Sequence, residues 1–416
     1  MSRLLAGYRV VELSVLLNGA TTGMMLADLG ADVVKVESPF LGDYIRIPST
    51  RHLHTQVNKN KRSLSLDLTK EEGRAVLHRL VAESDVFLTN LMPRTTPKLG
   101  ADHEQLRALN PGLVYCQVTG FGASGPLADV PTHGQMMDAL AGTLPGEIGP
   151  DGLAQARRPP AVRSGGMHVA GEATATGAVY AALHVAAALA QRARTGEGCR
   201  IDVAAADAVV ASAWTAAVAQ LNLPEEQRWW QREDAGRDTA RYQHYVAADG
   251  AFVMFCPEEK KFWESFCDLV GRPDLKPRQA GYDLRQEIQE IIGTRDRQYW
   301  LDLAVAHRLP IGPVNDGAVE VREDAQMRAR DMFVEAPSAG GESFVYVAAP
   351  ALVEGQPYGT PTPAPALGEH TEQILAELGY DHDDLERLAR TSVTTAASQV
   401  DDYISEQIHA EEKAEK

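Results

Sequence analysis

One acid, Glu172, stands where a glycine-rich loop meets a long helix-forming run, the place a nucleophilic or proton-accepting carboxylate would need. The loop and helix start read Arg163-Ser-Gly-Gly-Met-His-Val-Ala-Gly-Glu-Ala-Thr-Ala-Thr-Gly177. From Ala173 to Arg194 there is no proline. Val179, Ala182, Leu183, Ala186 and Leu189 recur at helical spacing, and Gly196 and Gly198 close the run. Two readings of Glu172 stand side by side. An acid in a first helical turn is favoured by the helix dipole, by roughly 0.3–1 kcal/mol when exposed. A carboxylate held in a tight glycine turn can instead meet an acyl group that backbone N–H groups approach closely.

The elements that must position this acid alternate along the first two hundred residues. Tyr8–Leu13 reads as a strand, Thr21–Leu29 as a helix and Gly30–Glu37 as a second strand, which together form a βαβ unit. The turn Leu16-Leu17-Asn18-Gly19 between them is no GxGxxG fingerprint, so it does not announce a dinucleotide. A helix start beyond a strand end still favours an anion near Asn18 and Gly19. Asn60–Leu68 alternates like a strand. Thr69 to Glu83 follows as an amphipathic helix, with Thr69 as N-cap and Glu72 three residues on. Asp85–Asn90 and Leu113–Val118 supply further strands around a short helix that closes at Asn110. The pattern predicts a doubly wound α/β domain.

Composition bounds the function. The chain has 416 residues, enough for two domains. It is 44% hydrophobic and 23% charged, with a formal net charge of −17, which argues against a general nucleic-acid or membrane-surface binder. Cys116, Cys199, Cys256 and Cys267 are scattered, with no CxxC pair and no metal-type spacing, and read as reduced core residues. No signal core and no run of about 18 apolar residues is seen, so a cytoplasmic protein without a membrane span is expected.

Several motifs in order carry a resemblance. Gly7-Tyr-Arg-Val-Val-Glu-Leu, Leu29-Gly-Ala-Asp-Val-Val-Lys-Val-Glu, Asn60-Lys-Arg-Ser, Gly120-Phe-Gly-Ala-Ser-Gly-Pro, Gly171-Glu-Ala-Thr-Ala-Thr-Gly, Leu309-Pro-Ile-Gly-Pro-Val-Asn and Leu367-Gly-Glu-His-Thr-Glu-Gln-Ile-Leu follow one another. The chain resembles the family III (CaiB/BaiF-like) CoA-transferases over roughly residues 5 to 390. That superfamily includes formyl-CoA:oxalate and carnitine CoA-transferases and the 2-methylacyl-CoA racemases. The resemblance implies a Rossmann-like large domain built from both chain ends, an inserted smaller α+β domain, and two subunits interlocked as rings. On it, residues 1–200 begin the large domain and 201–240 form a linker helix. Residues 241–325 are the insertion, with a hairpin turning at Asp249-Gly250, helices over Phe262–Val270, Leu284–Ile292 and Thr294–Arg308, and an exit through Gly312-Pro313-Val314. Residues 326–390 return to the large domain, and 391–416 form an acidic flexible tail.

The implied chemistry is CoA transfer through an enzyme carboxylate, an aspartate in nearly all relatives. Here the alignment puts Glu172 at that position, one methylene longer, which moves the oxygen by about 1.5 Å. Glu172 to Gly177 is also one residue longer than in many relatives, and the alternative offset places Ala173 there. His133, in Val130-Pro-Thr-His-Gly-Gln-Met-Met-Asp138, stands where transferases carry an aromatic residue and racemases a histidine. His133 and Glu172 could thus form a two-base pair at an α-carbon, or His133 could simply pack beneath the substrate. Thr176-Gly177 is more like the transferases. Matching positions suggest Leu17, Asn18, Asn90 and Lys98 for CoA, with Asn60, Lys61 and Arg62 as a basic patch. Ser38 replaces an arginine common after the acid matching Glu37, and Lys98 replaces an arginine fork by a point charge. The pocket for the acyl group is expected from the insertion and from the neighbourhood of Met136, Met137, Trp229 and Trp230. The expected substrates are an acyl-CoA and a carboxylic acid, with no permanently bound cofactor and no metal. A CoA-transferase is the leading expectation. A racemase or epimerase, and a non-catalytic subunit of a heteromer with a paralogue, are the alternatives to an active homodimer.

Overall fold

The computed structural model describes residues 3–157, 172–227 and 236–394. Trp229, Trp230, the loop before Glu172 and most of the expected tail lie outside them. The chain falls into two compact units, one of residues 1–213 and 325–416, the other Trp214–Asp324.

The first unit is built on six parallel strands: β1 (Arg9–Leu13), β2 (Asp32–Glu37), β3 (Arg62–Ser65), β4 (Val86–Thr89), β5 (Val114–Thr119) and β8 (Cys199–Ala204). Their order is β3-β2-β1-β4-β5-β8, the doubly wound order, which reverses direction between β1 and β4. Val10 is registered with Val33 on one side and Val86 on the other. The central strands read Val-Val-Glu-Leu, Val-Phe-Leu-Thr and Val-Tyr-Cys-Gln-Val-Thr because both faces are covered. On one face Leu26 and Ala27 of α1 (Asn18–Asp28) pack with Ala181, Ala182, Val185 and Leu189 of α6 (Glu172–Thr195). The other face buries Val76, Leu77 and Leu80 of α3 (Glu71–Ala82) and Leu106 of α4 (His103–Leu109). Ile374 and Leu375 of α14 (Thr371–Glu377) and Leu388 of α15 (His382–Arg390) complete that face. The two chain ends therefore share one core. Between β5 and α6 lie a short helix, α5 (Met136–Leu140), and a small hairpin of β6 (Gly146–Ile148) and β7 (Ala154–Ala156). Helix α2 (Arg51–Val57) precedes β3, and β12 (Phe333–Pro337) pairs with β13 (Ser343–Val347).

Four local expectations are corrected. Ile201–Ala204 opens no linker helix. It pairs with β5 in β8, where buried Val203 and half-buried Cys199 and Ile201 alternate with exposed Arg200 and Asp202, a strand period. Helix α7 (Ala205–Ser212) then belongs to the first unit. Thr69 does not cap α3, because Asp67 takes its O–H at 2.6 Å and its N–H at 3.0 Å and delays the helix to Glu71. The buried stripe of α6 runs through Ala178, Ala181, Ala182, Val185 and Leu189, which leaves Val179 and Leu183 exposed. By length and composition α6 could cross a membrane, yet this stripe is packed on the sheet.

The second unit opens with α8 (Trp214–Asn222) and holds the expected hairpin, β9 (Gln243–Val246) with β10 (Phe252–Phe255). Asp249 accepts Ala251 N–H, and Gly250 takes the left-handed turn at φ 80°. Helices α9 (Lys260–Leu269), α10 (Tyr282–Ile292) and α11 (Arg297–His307) surround a core of Trp263, Phe266, Ile288 and Trp300. The fourth correction is Gly312-Pro313. It is no exit but part of β11 (Ile311–Pro313), the third strand of this sheet. Helix α12 (Gly317–Glu323) ends the unit, and α13 (Ala325–Ala329) begins the return.

Candidate functional site

The carboxyl ends of β1, β2 and β3 open onto a cleft of about 270 Å³. Its walls include Ser14, Val15, Ser38, Gly42, Tyr44 and Thr69, with Leu91 and Leu99 beyond β4. The crevice outside the strand ends of a doubly wound sheet is where ligands of this architecture bind.

The loop that leaves β1 toward α1 is held from three sides. Val15 donates its N–H to Asn90 Oδ1 at 3.0 Å and accepts from Asn90 Nδ2 at 2.6 Å. Leu16 donates its N–H to Asp43 Oδ1 at 2.8 Å, and Lys35 Nζ donates to Ser14 O at 3.0 Å. Leu16 sits at φ 59°, a left-handed conformation that costs a side-chain-bearing residue about 1–2 kcal/mol. Gly19 is required three residues on: a Cβ there would lie 2.4 Å from Ser14 Cβ.

Beneath this loop lies a buried layer of charge. Glu12 Oε1 accepts from Lys35 Nζ at 2.9 Å and its Oε2 from Lys61 Nζ at 2.7 Å, with all three side chains inaccessible. Burial alone would raise the Glu12 carboxyl, but Lys35 and Lys61 bring it below the ordinary range. Burial works against the Lys35 ammonium too, yet Glu12, Asp43 and Glu37 together push its pKa up. Lys61 competes with Lys35 for one carboxylate, and burial takes it down to about 8. Glu37 is gripped by Arg46 through Nε at 2.9 Å and Nη2 at 2.6 Å. That grip overcomes burial and holds Glu37 well below the usual carboxylate range. His54, 6% exposed, is pushed down to about 3 by burial and then by the charge of Arg46.

The sequence-predicted residues are distributed unevenly around this site. Asn18 opens α1, and its buried Oδ1 has no hydrogen-bond partner among the described residues. Gly177, in the second turn of α6, lies against it: a Cβ there would stand 3.3 Å from Asn18 Oδ1 and 3.1 Å from Ala205 Cβ. Close helix packing thus explains the glycine of Thr176-Gly177. Leu17 is the N-terminal flanking residue of α1, half-buried beside Ala20, Ile45 and Val57. Asn90 spends its amide oxygen and nitrogen on Val15, so it holds the loop in place. Lys98 is exposed on the turn Thr96–Leu99, next to cleft-lining Leu99. Asn60, Lys61 and Arg62 form no basic patch. Asn60 bonds Asp28 and Thr362, Lys61 is buried on Glu12, and Arg62 is spent on Asp32 and Glu377.

Glu172 is the first residue of α6. The amide that follows it, Ala173 N–H, donates to Asp138 Oδ1 at 3.1 Å. Ala173 is wholly buried with Met137, Ala205, Ala206 and Val209, so its position is one of packing. His133 is exposed in the turn entering α5, and its carbonyl accepts Met136 N–H. One short segment thus carries His133 and, five residues on, the aspartate that touches the start of α6. Sequence reading missed Asp43, Arg46, His54 and Asp138. The spacing Glu37…Gly42-Asp43…Arg46 beyond a strand end was the available signal for the first two. Among the described residues no group of acids, histidines and cysteines could hold a metal ion.

Comparison with known proteins places the chain in a family. The family model described as CoA-transferase family III matches residues 5–371. Succinate–glutarate CoA-transferase of Agrobacterium fabrum is 32% identical over 397 residues, covering 90% of this chain and 95% of that protein. Succinyl-CoA–D-citramalate CoA-transferase of Chloroflexus aurantiacus is 31% identical, covering 93% and 97%. A crystal structure of a CaiB/BaiF family protein from Brucella suis has a TM-score of 0.69 at 29% identity, covering 91% of this chain and all of that one.

Proposed function

The chain belongs to CoA-transferase family III, and we propose that it moves CoA from an acyl-CoA donor to a carboxylic acid through covalent intermediates on Glu172. The Glu172 carboxylate attacks the thioester carbonyl, the C–S bond breaks, and CoA leaves as the thiolate with a mixed anhydride on the enzyme. The thiolate then attacks the glutamyl carbonyl, releases the donor acid, and leaves a glutamyl-CoA thioester. The acceptor carboxylate repeats the sequence in reverse, so the exchange is redox-neutral and needs no bound cofactor.

The observation that carries this reading is the contact of α6 with α1. Gly177 against Asn18 brings the helix that starts at Glu172 to the α1 start. That is the anion-favouring helix end beside the strand-end cleft. Leu17 and Asn18 would approach the pantetheine and phosphate portions, Lys98 would meet a phosphate as a point charge, and the cleft would take the nucleotide. The burial of Ala173 favours Glu172 over the one-residue offset.

Mass spectrometry after incubation with acyl-CoA tests the reading: a CoA adduct is expected on the peptide that holds Glu172. Glu172→Gln should lose the adduct and on the order of 10⁴-fold in turnover. Unchanged turnover in that variant would place the nucleophile elsewhere. The His133 turn, tied to α6 through Asp138, supports a racemase as the second reading. It predicts α-proton exchange in deuterated water without an adduct, and loss of that exchange in His133→Phe. A cytoplasmic homodimer with interlocked subunits fits two exposed apolar ridges, Val179 and Leu183 on α6 and Trp214, Val218 and Leu221 on α8.

A further inference from the structure

We infer that Asp43 is a positioning residue for CoA, holding the strained Leu16 turn and the opposite wall of the cleft in one fixed relation; the inference rests on the CoA-binding reading above. Asp43 is 1% exposed and touches no part of the cleft surface itself. Its neighbours do. Ser14 and Val15 line one wall, and Gly42 and Tyr44 line the other. A single carboxylate joins them: Oδ1 accepts the N–H of Leu16 at 2.8 Å and of Ile45 at 3.3 Å. Oδ2 stands 3.0 Å from Lys35 Nζ, a charge contact without hydrogen-bond alignment. The Asp43 N–H in turn donates to Glu37 Oε1, the carboxylate that Arg46 grips.

Leu16 is the reason such a tie is needed. A left-handed leucine returns to an ordinary conformation unless its surroundings forbid it. The turn it shapes leads straight into Leu17 and Asn18 at the α1 start. Asn90 fixes only Val15, so without Asp43 the Leu16 amide has no side chain to hold it. Relaxation there would move the α1 entrance relative to the Gly42–Tyr44 wall, and the two halves of a nucleotide site would no longer match. Pre-organisation of this kind appears in affinity.

Calorimetric titration of CoA, with turnover at saturating acyl-CoA measured alongside, tests the role. Asp43→Asn keeps an oxygen for Leu16 and should bind within about twofold of the wild-type chain. Asp43→Ala should weaken CoA about tenfold while turnover at saturation stays within about twofold. Leu16→Gly added to Asp43→Ala should recover most of that loss, because glycine accepts the left-handed turn without strain. A merely structural aspartate would show no such rescue. Asp43→Ala binding CoA like wild type would overturn the inference. If that variant fails to fold, a tenfold loss in Asp43→Asn overturns it instead, since the acceptor is retained there. No heat with the wild-type chain would refute the CoA site itself, and this role with it.

Discussion

Acid should loosen helix α2, beside the buried charges of Glu37 and Arg46, through one histidine. His54 is buried in α2, and its Nε2 meets no hydrogen-bond partner among the described residues. Burial first and the Arg46 charge second push its pKa down to about 3, against 6.5 for a free ring. Between those values the unfolded chain binds a proton that the native chain refuses. Stability therefore rises with pH across this interval and is lost as pH falls below about 6.5. For one site with these two constants, the loss between pH 7 and pH 5 is about 2 kcal/mol. His54→Phe removes the titration and an unsatisfied ring nitrogen, so at neutral pH it should change stability by less than about 1 kcal/mol. Tryptophan fluorescence would miss the effect, because Trp214, Trp229, Trp230, Trp263 and Trp300 all fall within Trp214–Asp324. Hydrogen exchange in a peptide spanning Arg51–Val57, corrected for the intrinsic pH dependence of exchange, reads the right unit. Protection in the wild-type chain should fall about thirtyfold more between pH 7 and pH 5 than in His54→Phe. Equal losses in the two chains would mean that another group senses the acid.

Substitutions at two positions test the packing of α1 and α6. Gly23→Ala, which in an ordinary helix gains up to about 1 kcal/mol, should here cost about 3 kcal/mol. Its Cβ would stand 1.9 Å from Glu12 Oε2 and displace the carboxylate from Lys61; a stabilised variant in thermal melting would refute that account. Asp138→Ala should cost about 1 kcal/mol by freeing the Ala173 N–H, while Asp138→Asn keeps an acceptor and most of the stability. Equal melting shifts for the two would show that the hydrogen bond contributes nothing.

What the sequence disclosed and what it hid follow one physical line. The six-stranded sheet was largely legible because parallel strands buried on both faces read as unbroken Val, Leu and Phe runs, a local signal. The hairpin at Asp249-Gly250 was legible because its turn chemistry is local as well. The fate of Lys61 was not. Its partner Glu12 is 49 residues away, and nothing in Asn60-Lys-Arg-Ser says which cation faces inward. Thr69 looks like a cap locally, but Asp67, two residues earlier, outcompetes the helix for its N–H and O–H. The buried stripe of α6 falls one position from the one its spacing predicts, because an alanine-rich helix is apolar over most of its surface and periodicity does not single out a face. Asp138 was invisible because its partner is a backbone amide 35 residues on.

The buried charges also bear on where the affinity for an anion can come from. Glu12, Glu37 and Asp43 are balanced by Lys35, Lys61 and Arg46, three acids against three bases. Such a layer is costly to bury and adds little net stability, and being neutral it offers a phosphate little field. Ser38, at the cleft, carries no charge either. On the reading proposed above, the α1 start and the exposed Lys98 supply pull on a CoA phosphate. The first turn of α1 contains no acid to oppose it. A helix N-terminus attracts through amides fixed in direction, so its strength depends on holding the entering loop rigid. Asp43, Asn90 and Lys35 hold that loop, and Gly19 lets it close. The ionic layer is therefore better understood as the framework that aims the α1 amides than as a source of attraction. With the uncharged Ser38 after Glu37, the proposed site depends on that aim all the more.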